Sequence, residues 1–313
     1  MTAAIVPMFF ILSGFLVTGS AVRLPLGKFA LSRSLRIVPA LFVDTVFTVF
    51  VLDALFTTLP LADYAAHPTT RAYLLNIIGE IHFYLPGVFA DNPLPDVVNG
   101  ALWTIPPELG CYLTIGLLIA FGWVRNWKIV AGMAVGLMVV IIAGTVLQDR
   151  LPPLLAKIIT YPGAALVPGF LIGSLLFLKR HLVPYSLPLF LACLAIIVGS
   201  GYVLSAESYA GLPIWIFSMI PVYGYVTLFI GATRIPPLPF FRRGDYSYGI
   251  YLYGFPIQQA IVASTGITNP FLLFVSALPV ILALAVFSWH VVEKPTLKLR
   301  KAFSMSARHE SKP

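Results

Sequence analysis

Two arginines near the start of the chain have the spacing of an anion site. Arg33 and Arg36 follow the apolar stretch 9–16 and precede a second apolar stretch. Residues three apart share one face of a helix, and arginine binds phosphate through two parallel hydrogen bonds. The pair therefore predicts a site for a phosphate-bearing ligand where membrane meets water. The alternative is that both arginines only mark a cytoplasmic loop.

Acidic residues inside apolar segments are the second group of residues that could take part in chemistry. A charge near the bilayer centre costs about 3 kcal/mol on insertion scales, so such residues need a partner or a wet cavity. Asp44, Asp53 and Glu108 lie in segments of this kind. Glu108 follows Pro107, a residue that favours the first helical turn, where the helix dipole stabilises an anion. Glu108 is thus either functional or stabilises its own helix start, and Asp44 is either functional or an internal hydrogen-bond anchor.

Aromatic residues accompany these charges. Trp103 and Thr104 lie at one predicted helix end, and Tyr248 and Tyr251 lie in the stretch 245–256. Rings at this depth usually form an aromatic belt, and the alternative is stacking against a sugar. A closing Glu293 is expected to pair with a nearby cation.

Composition defines the class of protein that must position these residues. The chain has 313 residues, of which 59% are hydrophobic and 10% are charged. One soluble core cannot bury so much apolar surface. Apolar runs of about 20 residues recur, which is the length of a membrane-spanning helix and far longer than a barrel strand. The sequence predicts an all-α, polytopic membrane helical bundle.

Nine spans are predicted, at about 3–22, 37–58, 104–123, 129–147, 158–178, 185–204, 212–231, 246–264 and 270–290. With the N-terminus outside and the C-terminus in the cytoplasm, only Arg71, Arg150 and Lys157 of the 20 lysines and arginines fall outside. This asymmetry sets the orientation. It also accounts for the net charge of +8 through the anionic cytoplasmic leaflet, without a nucleic-acid partner.

The longest stretch between spans, 59–103, is predicted to face outside and to meet the substrate. Its apolar segment 73–84 is expected to form an interfacial or re-entrant helix. Glu80 and His82 lie in this segment, where a spacing of two would make them diverge on a helix, so no metal site is expected. Residues 1–295 are predicted to form one membrane domain, followed by a basic cytoplasmic tail at 296–313. Cys111 and Cys193 fall in predicted spans and are expected to be free, buried packing residues.

Four motifs, in this order, resemble those of acyltransferase family 3, whose members are membrane proteins that place O-acyl groups on extracytoplasmic glycans and some small molecules. The motifs are Phe9–Phe15 with Arg33–Pro39, Leu102–Tyr112, Ser247–Pro256 and Glu293–Pro295. In the third motif Tyr253 and Gly254 stand where the family pattern has Trp-His. The resemblance implies donor binding by Arg33 and Arg36 and a functional role for Glu108. It also implies a substrate region that includes Ser13, Trp103, Thr104, Tyr248 and Tyr251.

The resemblance further implies ten helices, the first with an arginine and, eleven residues later, a histidine that acts as catalytic base. This chain contains neither residue at such a place, and the odd number of predicted spans leaves its N-terminus outside. We therefore expect one further helix to be encoded upstream of Met1.

The expected function is transfer of an acyl group, in particular acetyl, from cytoplasmic acyl-CoA to a hydroxyl of a membrane-associated glycan. The expected location is the cell inner (plasma) membrane. Acetyl-CoA would be a co-substrate, with no bound cofactor, and the partners would be the glycan or its lipid-linked precursor and membrane lipids. Two alternatives stay open: an inactive or regulatory member of the same family, and a transporter or flippase of lipid-linked glycans.

Overall fold

The computed structural model describes residues 2–203, 212–234, 236 and 242–298. The described residues fold into helices and connecting loops without a β-strand, apart from one isolated antiparallel bridge between Tyr84 and Val97. The all-α prediction is therefore confirmed for this part of the chain.

The α-helices, in chain order, are α1 (Thr2–Ala21), α2 (Leu26–Phe47), α3 (Asp53–Phe56), α4 (Leu61–Ala66), α5 (Pro68–Tyr73), α6 (Ile105–Ala120), α7 (Trp127–Val146), α8 (Pro153–Ile159), α9 (Leu166–Leu178), α10 (Leu187–Val203), α11 (Leu212–Ala232), α12 (Ser247–Thr265) and α13 (Pro270–Phe287). Short 3₁₀-helices include Leu74–Ile78 and Gly100–Thr104. Among the described residues, two π-helices occur, Thr48–Leu52 after α2 and Ser288–Glu293 after α13.

The predicted count of nine spans is not confirmed. Among the described residues, six helices are long and apolar enough to cross a membrane, or seven if the bent pair α8 and α9 forms one span. The pair is broken by a 49° bend between Ile159 and Pro162, and the apolar part of α10 is short, ending at Ser200. α12 is not one of the six, and it carries polar residues such as Gln258 and Gln259 along its length. Helices do occupy all nine predicted segments, so the error lies in treating each of them as one complete span.

The chain divides into two compact units: the first contains Met1–Phe29 and Pro107–Ile235, and the second contains Ala30–Pro106 and Pro236–Pro313. The predicted single domain at 1–295 and its tail stay predictions, and residues 299–313 of that tail lie outside the described part. Cys111 and Cys193 are free and buried, as predicted.

In the first unit, α1 and α9 pack backbone to backbone. A Cβ added to Gly14 would lie 1.9 Å from the carbonyl oxygen of Phe170, and one added to Gly173 would lie 2.0 Å from that of Ile11. Each helix therefore has a glycine where the backbone of the other helix comes closest. The close approach explains why the motif Phe9–Phe15 contains a glycine at position 14. Ser13 precedes this glycine on α1.

In the second unit, the predicted outer stretch 59–103 is fastened to α12. The amide nitrogen of Gln259 donates to the carbonyl oxygens of Leu94 and Val97, and the Asn92 amide nitrogen donates to the backbone and side-chain oxygens of Gln259. The helical part of this stretch differs from the expected helix at 73–84. It ends at Ile78, and Gly79 then turns the backbone with a φ of +86°.

We predict that Gly14→Ala lowers the free energy of unfolding by about 1–3 kcal/mol, because the new methyl group meets backbone that cannot rotate away. Thermal unfolding of the detergent-solubilised protein measures the effect. Gly132→Ala in α7 is the matched control, since a Cβ there meets nothing within 4 Å. Equal unfolding temperatures for the two variants would contradict the close packing.

Candidate functional site

Arg33 and Arg36 lie in the first half of α2, and both are half-buried. The Nη2 atom of Arg36 donates to the Oδ2 atom of Asp245 at 2.8 Å. The two residues are 209 positions apart in sequence, so this pair joins two of the motifs within the second unit.

Asp245 is itself oriented by the residue two positions later. The hydroxyl of Ser247 donates to Oδ1 at 2.6 Å, and its backbone N–H donates to the same oxygen at 3.4 Å. Burial alone would raise the pKa of Asp245, but the hydrogen bonds from Ser247 and the charge and hydrogen bond of Arg36 together hold this pKa below its ordinary value. The carboxylate is therefore ionised at neutral pH. The Asp-x-Ser spacing is typical of such local turns, so the sequence indicates the turn but not the pairing of Asp245 with Arg36.

The tyrosines of the third motif lie next to Arg36. The guanidinium carbon of Arg36 is 6.0 Å from the ring centroid of Tyr248, within the range of a cation–π contact. The rings of Tyr248 and Tyr251 are stacked with centroids 6.0 Å apart, and the Tyr248 hydroxyl is 3.4 Å from the carbonyl oxygen of Ile37. Tyr248 is therefore part of the packed interior and not of an aromatic belt at the membrane boundary.

The 3₁₀-helix Gly100–Thr104 contacts one of these tyrosines. The Tyr251 hydroxyl donates to the carbonyl oxygen of Ala101 at 2.7 Å and lies 3.0 Å from the Thr104 hydroxyl. Because a tyrosine has one hydroxyl proton, the Thr104 hydroxyl donates in the second contact. The structure therefore brings Arg36, Tyr248, Tyr251 and Thr104 together through direct contacts, and half-buried Trp103 adjoins them in sequence.

Asn99 fixes the start of this 3₁₀-helix. Its side-chain oxygen accepts from the N–H of Ala101 at 3.2 Å, and its amide nitrogen donates to the carbonyl oxygen of Leu252 in α12 at 3.0 Å. The residue is fully buried. The sequence analysis missed Asn99, although an asparagine before a short helix is a typical N-cap signal.

Glu108 lies in the first turn of α6, as predicted, and belongs to the first unit, as does Ser13. Its Oε1 atom accepts a hydrogen bond of 2.6 Å from the Tyr112 hydroxyl, one helical turn later. The Glu-x-x-x-Tyr spacing of the second motif thus has a local physical reason, because residues four apart are neighbours on a helix.

The remaining acids have different surroundings. Glu293 is buried and accepts from the Ser288 hydroxyl at 3.1 Å. The positive charge of Arg36 also acts on the Glu293 carboxylate, in agreement with the expected nearby cation. Glu80 and His82 do not diverge, since the chain has left the helix at Gly79, and their side chains approach to 3.4 Å. The side chain of Asp53 lies outside the described part of the structure.

Several apolar helices long enough to span a bilayer, together with charged and hydroxyl groups at the interior of one unit, define a polytopic membrane protein with a polar site. The chain belongs to the acyltransferase 3 family, because the family's acyltransferase-domain model matches residues 1–290. It is therefore classed with O-acyltransferases, not with transporters.

Two characterised relatives resemble the chain. Nodulation protein 10 of Rhizobium leguminosarum bv. viciae is 30% identical, over 94% of this chain and 82% of that protein. An O-acetyl transfer enzyme of Shigella phage Sf6, named "O-acetyl transferase", is 27% identical, over 92% of this chain and 82% of that protein. No solved structure matches the chain.

We predict that Asn99→Ala destabilises the protein by about 1–3 kcal/mol, because it strands a buried carbonyl and a buried N–H. Asp245→Ala should cost at most about 1 kcal/mol, since the Asp245 side chain is 49% exposed and exposed ion pairs contribute little. Unfolding midpoints of both variants in one detergent provide the comparison. A larger loss for Asp245→Ala would mean that the ion pair, and not Asn99, holds the motifs together.

Proposed function

We propose that this chain transfers an acetyl group from acetyl-CoA to a hydroxyl of a membrane-associated glycan, such as a surface polysaccharide or its lipid-linked precursor. In the reaction the hydroxyl oxygen forms a bond to the thioester carbon, the carbon–sulfur bond breaks, and the hydroxyl proton ends on the departing thiolate. Family membership supports acyl transfer, and the name of the phage relative supports acetyl as the group.

The observation that carries the proposal is the orientation of Arg36, which lies three residues after Arg33 in the first half of α2. A guanidinium has five N–H donors, and the ion pair with Asp245 engages one terminal nitrogen. Arg36 can therefore bind a phosphate while Asp245 and the Tyr248 ring hold its orientation. Two half-buried arginines on one helix face suit the several phosphates of an acyl-CoA.

The proposed location is the inner (plasma) membrane with the C-terminus in the cytoplasm. The asymmetry of lysine and arginine supports this orientation, which puts Arg33 and Arg36 on the side where acyl-CoA is available. The stretch 59–103 then faces outward, toward the glycan.

We expect Arg36→Ala to lower kcat/KM for acetyl-CoA by about 10- to 100-fold, the range of one hydrogen-bonded charge. Arg33→Ala should have a similar effect. Arg36→Lys should rescue only partly, because an ammonium lacks the guanidinium fork. The assay follows transfer from labelled acetyl-CoA to the glycan fraction of membranes that carry the protein.

The matched control is Arg125→Ala, which removes an exposed arginine that donates to the carbonyl oxygen of Val22 in the first unit. This variant should transfer acetyl at the wild-type rate. Wild-type transfer by Arg33→Ala and Arg36→Ala at equal protein amounts would show that these arginines only mark topology.

We further propose that Glu108 acts in catalysis, with Tyr112 orienting its carboxylate. Glu108→Gln keeps the shape and removes the charge, so it should reduce turnover by two or more decades (about 100-fold), the range for a group that handles a proton or orients a reacting hydroxyl. If Glu108 only stabilises its helix start, the loss is about 0.3–2 kcal/mol of stability with nearly normal turnover. Turnover per folded molecule of the purified variant separates the two roles.

A further inference from the structure

Three neighbouring polar side chains of the second unit make few hydrogen bonds among the described residues. Asp44 and Thr45 lie near the end of α2, Thr48 begins the π-helix that follows, and all three are completely buried. Neither carboxyl oxygen of Asp44 and neither threonine hydroxyl makes a hydrogen bond of normal geometry within the described residues. The Asn99 side chain is nevertheless close enough to interact with the Asp44 carboxyl by hydrogen bonding.

Several threonines in apolar helices of the same chain satisfy their hydroxyls locally, although the buried hydroxyl of Thr18 in α1 makes no hydrogen bond within the described residues either. The hydroxyls of Thr114, Thr145 and Thr227 donate to the carbonyl oxygen four residues earlier, at 2.8, 2.8 and 2.7 Å. Such a bond is the usual way in which a threonine satisfies itself inside a helix. Buried polar groups without partners are rare, and each one calls for a functional or structural reason.

The backbone is irregular at the same place. The π-helix Thr48–Leu52 begins at the third residue of the set, and π-helical turns are frequent at functional sites. The second π-helix, Ser288–Glu293, contributes the buried Ser288–Glu293 pair, and the Oε2 atom of Glu293 also lacks a partner in the described part of the chain. Tyr253 lies between the two groups, with a hydrogen bond to Ser288 and within reach of the charge of Asp44.

The three side chains also continue the helix that carries the arginines. Arg33 and Asp44 are eleven residues apart, which is about three helical turns and about 16 Å along the axis, so they lie on nearly the same face. Thr48 follows one turn later. A molecule whose phosphates bind Arg33 and Arg36 and whose chain extends along α2 would reach this set with its uncharged portion.

We propose that Asp44, Thr45 and Thr48 form a subsite for the amide-containing arm that joins the phosphates of the acyl donor to its sulfur. The chemistry matches, because a carboxyl oxygen accepts from an amide N–H, and threonine hydroxyls donate to an amide carbonyl. The inference rests on the proposed function, since it assumes that the donor phosphates lie at Arg33 and Arg36.

Two probes separate this subsite from the phosphate site: acetyl-CoA, measured through its KM, and pantetheine, which has the arm without the phosphates, measured through its inhibition constant. Thr48→Val and Thr45→Val keep side-chain volume and remove the hydroxyl, and Asp44→Asn keeps the shape. Each should raise both constants about 3- to 10-fold, the range of one hydrogen bond. The glycan KM should not change. Thr227→Val, which removes a buried hydroxyl of the first unit that is already satisfied, should change neither constant.

The outcomes divide cleanly between the two proposals. Arg36→Ala should raise the KM of acetyl-CoA and leave the inhibition constant of pantetheine unchanged. If Arg36→Ala leaves the KM of acetyl-CoA unchanged, the phosphate site is refuted and the subsite is not. Failure of pantetheine to inhibit the wild-type protein, or unchanged constants in the three subsite variants, would overturn the subsite. A rise in the glycan KM instead would assign the set to the acceptor. If none of the three variants folds, the set is structural and the inference is wrong.

Discussion

Hydrocarbon offers no hydrogen bonds, so polar groups at membrane depth must find partners within the chain. Asn99 shows how the second unit meets this constraint, since one buried amide binds an N–H of its own turn and a carbonyl of α12. The position of Thr104 beside Tyr251 depends on this arrangement. The buried hydroxyls of Thr45 and Thr48, which make no hydrogen bond within the described residues, are an exception to this pattern.

A second contact joins motifs that are remote in sequence. Arg36, in the first half of α2, pairs with Asp245, two residues before α12, and Ser247 holds that carboxylate in place. Half-exposed ion pairs contribute little to stability. The main effect of the Arg36–Asp245 ion pair is therefore to orient the guanidinium, and a fixed guanidinium suits the recognition of a phosphate.

Properties that depend on local patterns were predictable from the sequence, and properties that depend on tertiary contacts were not. Apolar run length predicted helices in all nine segments, and the Pro107-Glu108 order predicted the first turn of α6. The count of nine complete spans was not confirmed, because a bend separates α8 from α9, the apolar part of α10 is short, and α12 is not among the candidate spans of the described residues. The Arg36–Asp245 pair could not be predicted from the sequence, since no local signal links residues 209 positions apart. Glu80 and His82 were misjudged because one left-handed glycine redirects the chain.

The glycine contact between α1 and α9 has a consequence for how the gene can vary. Any base change in a glycine codon that specifies another amino acid introduces a Cβ, and at Gly14 and Gly173 that atom would overlap a carbonyl oxygen of the facing helix. Replacement of either residue therefore carries a cost in stability. A Cβ at Gly132 in α7 meets no neighbouring atom within 4 Å, so mutations in that codon are limited less by packing.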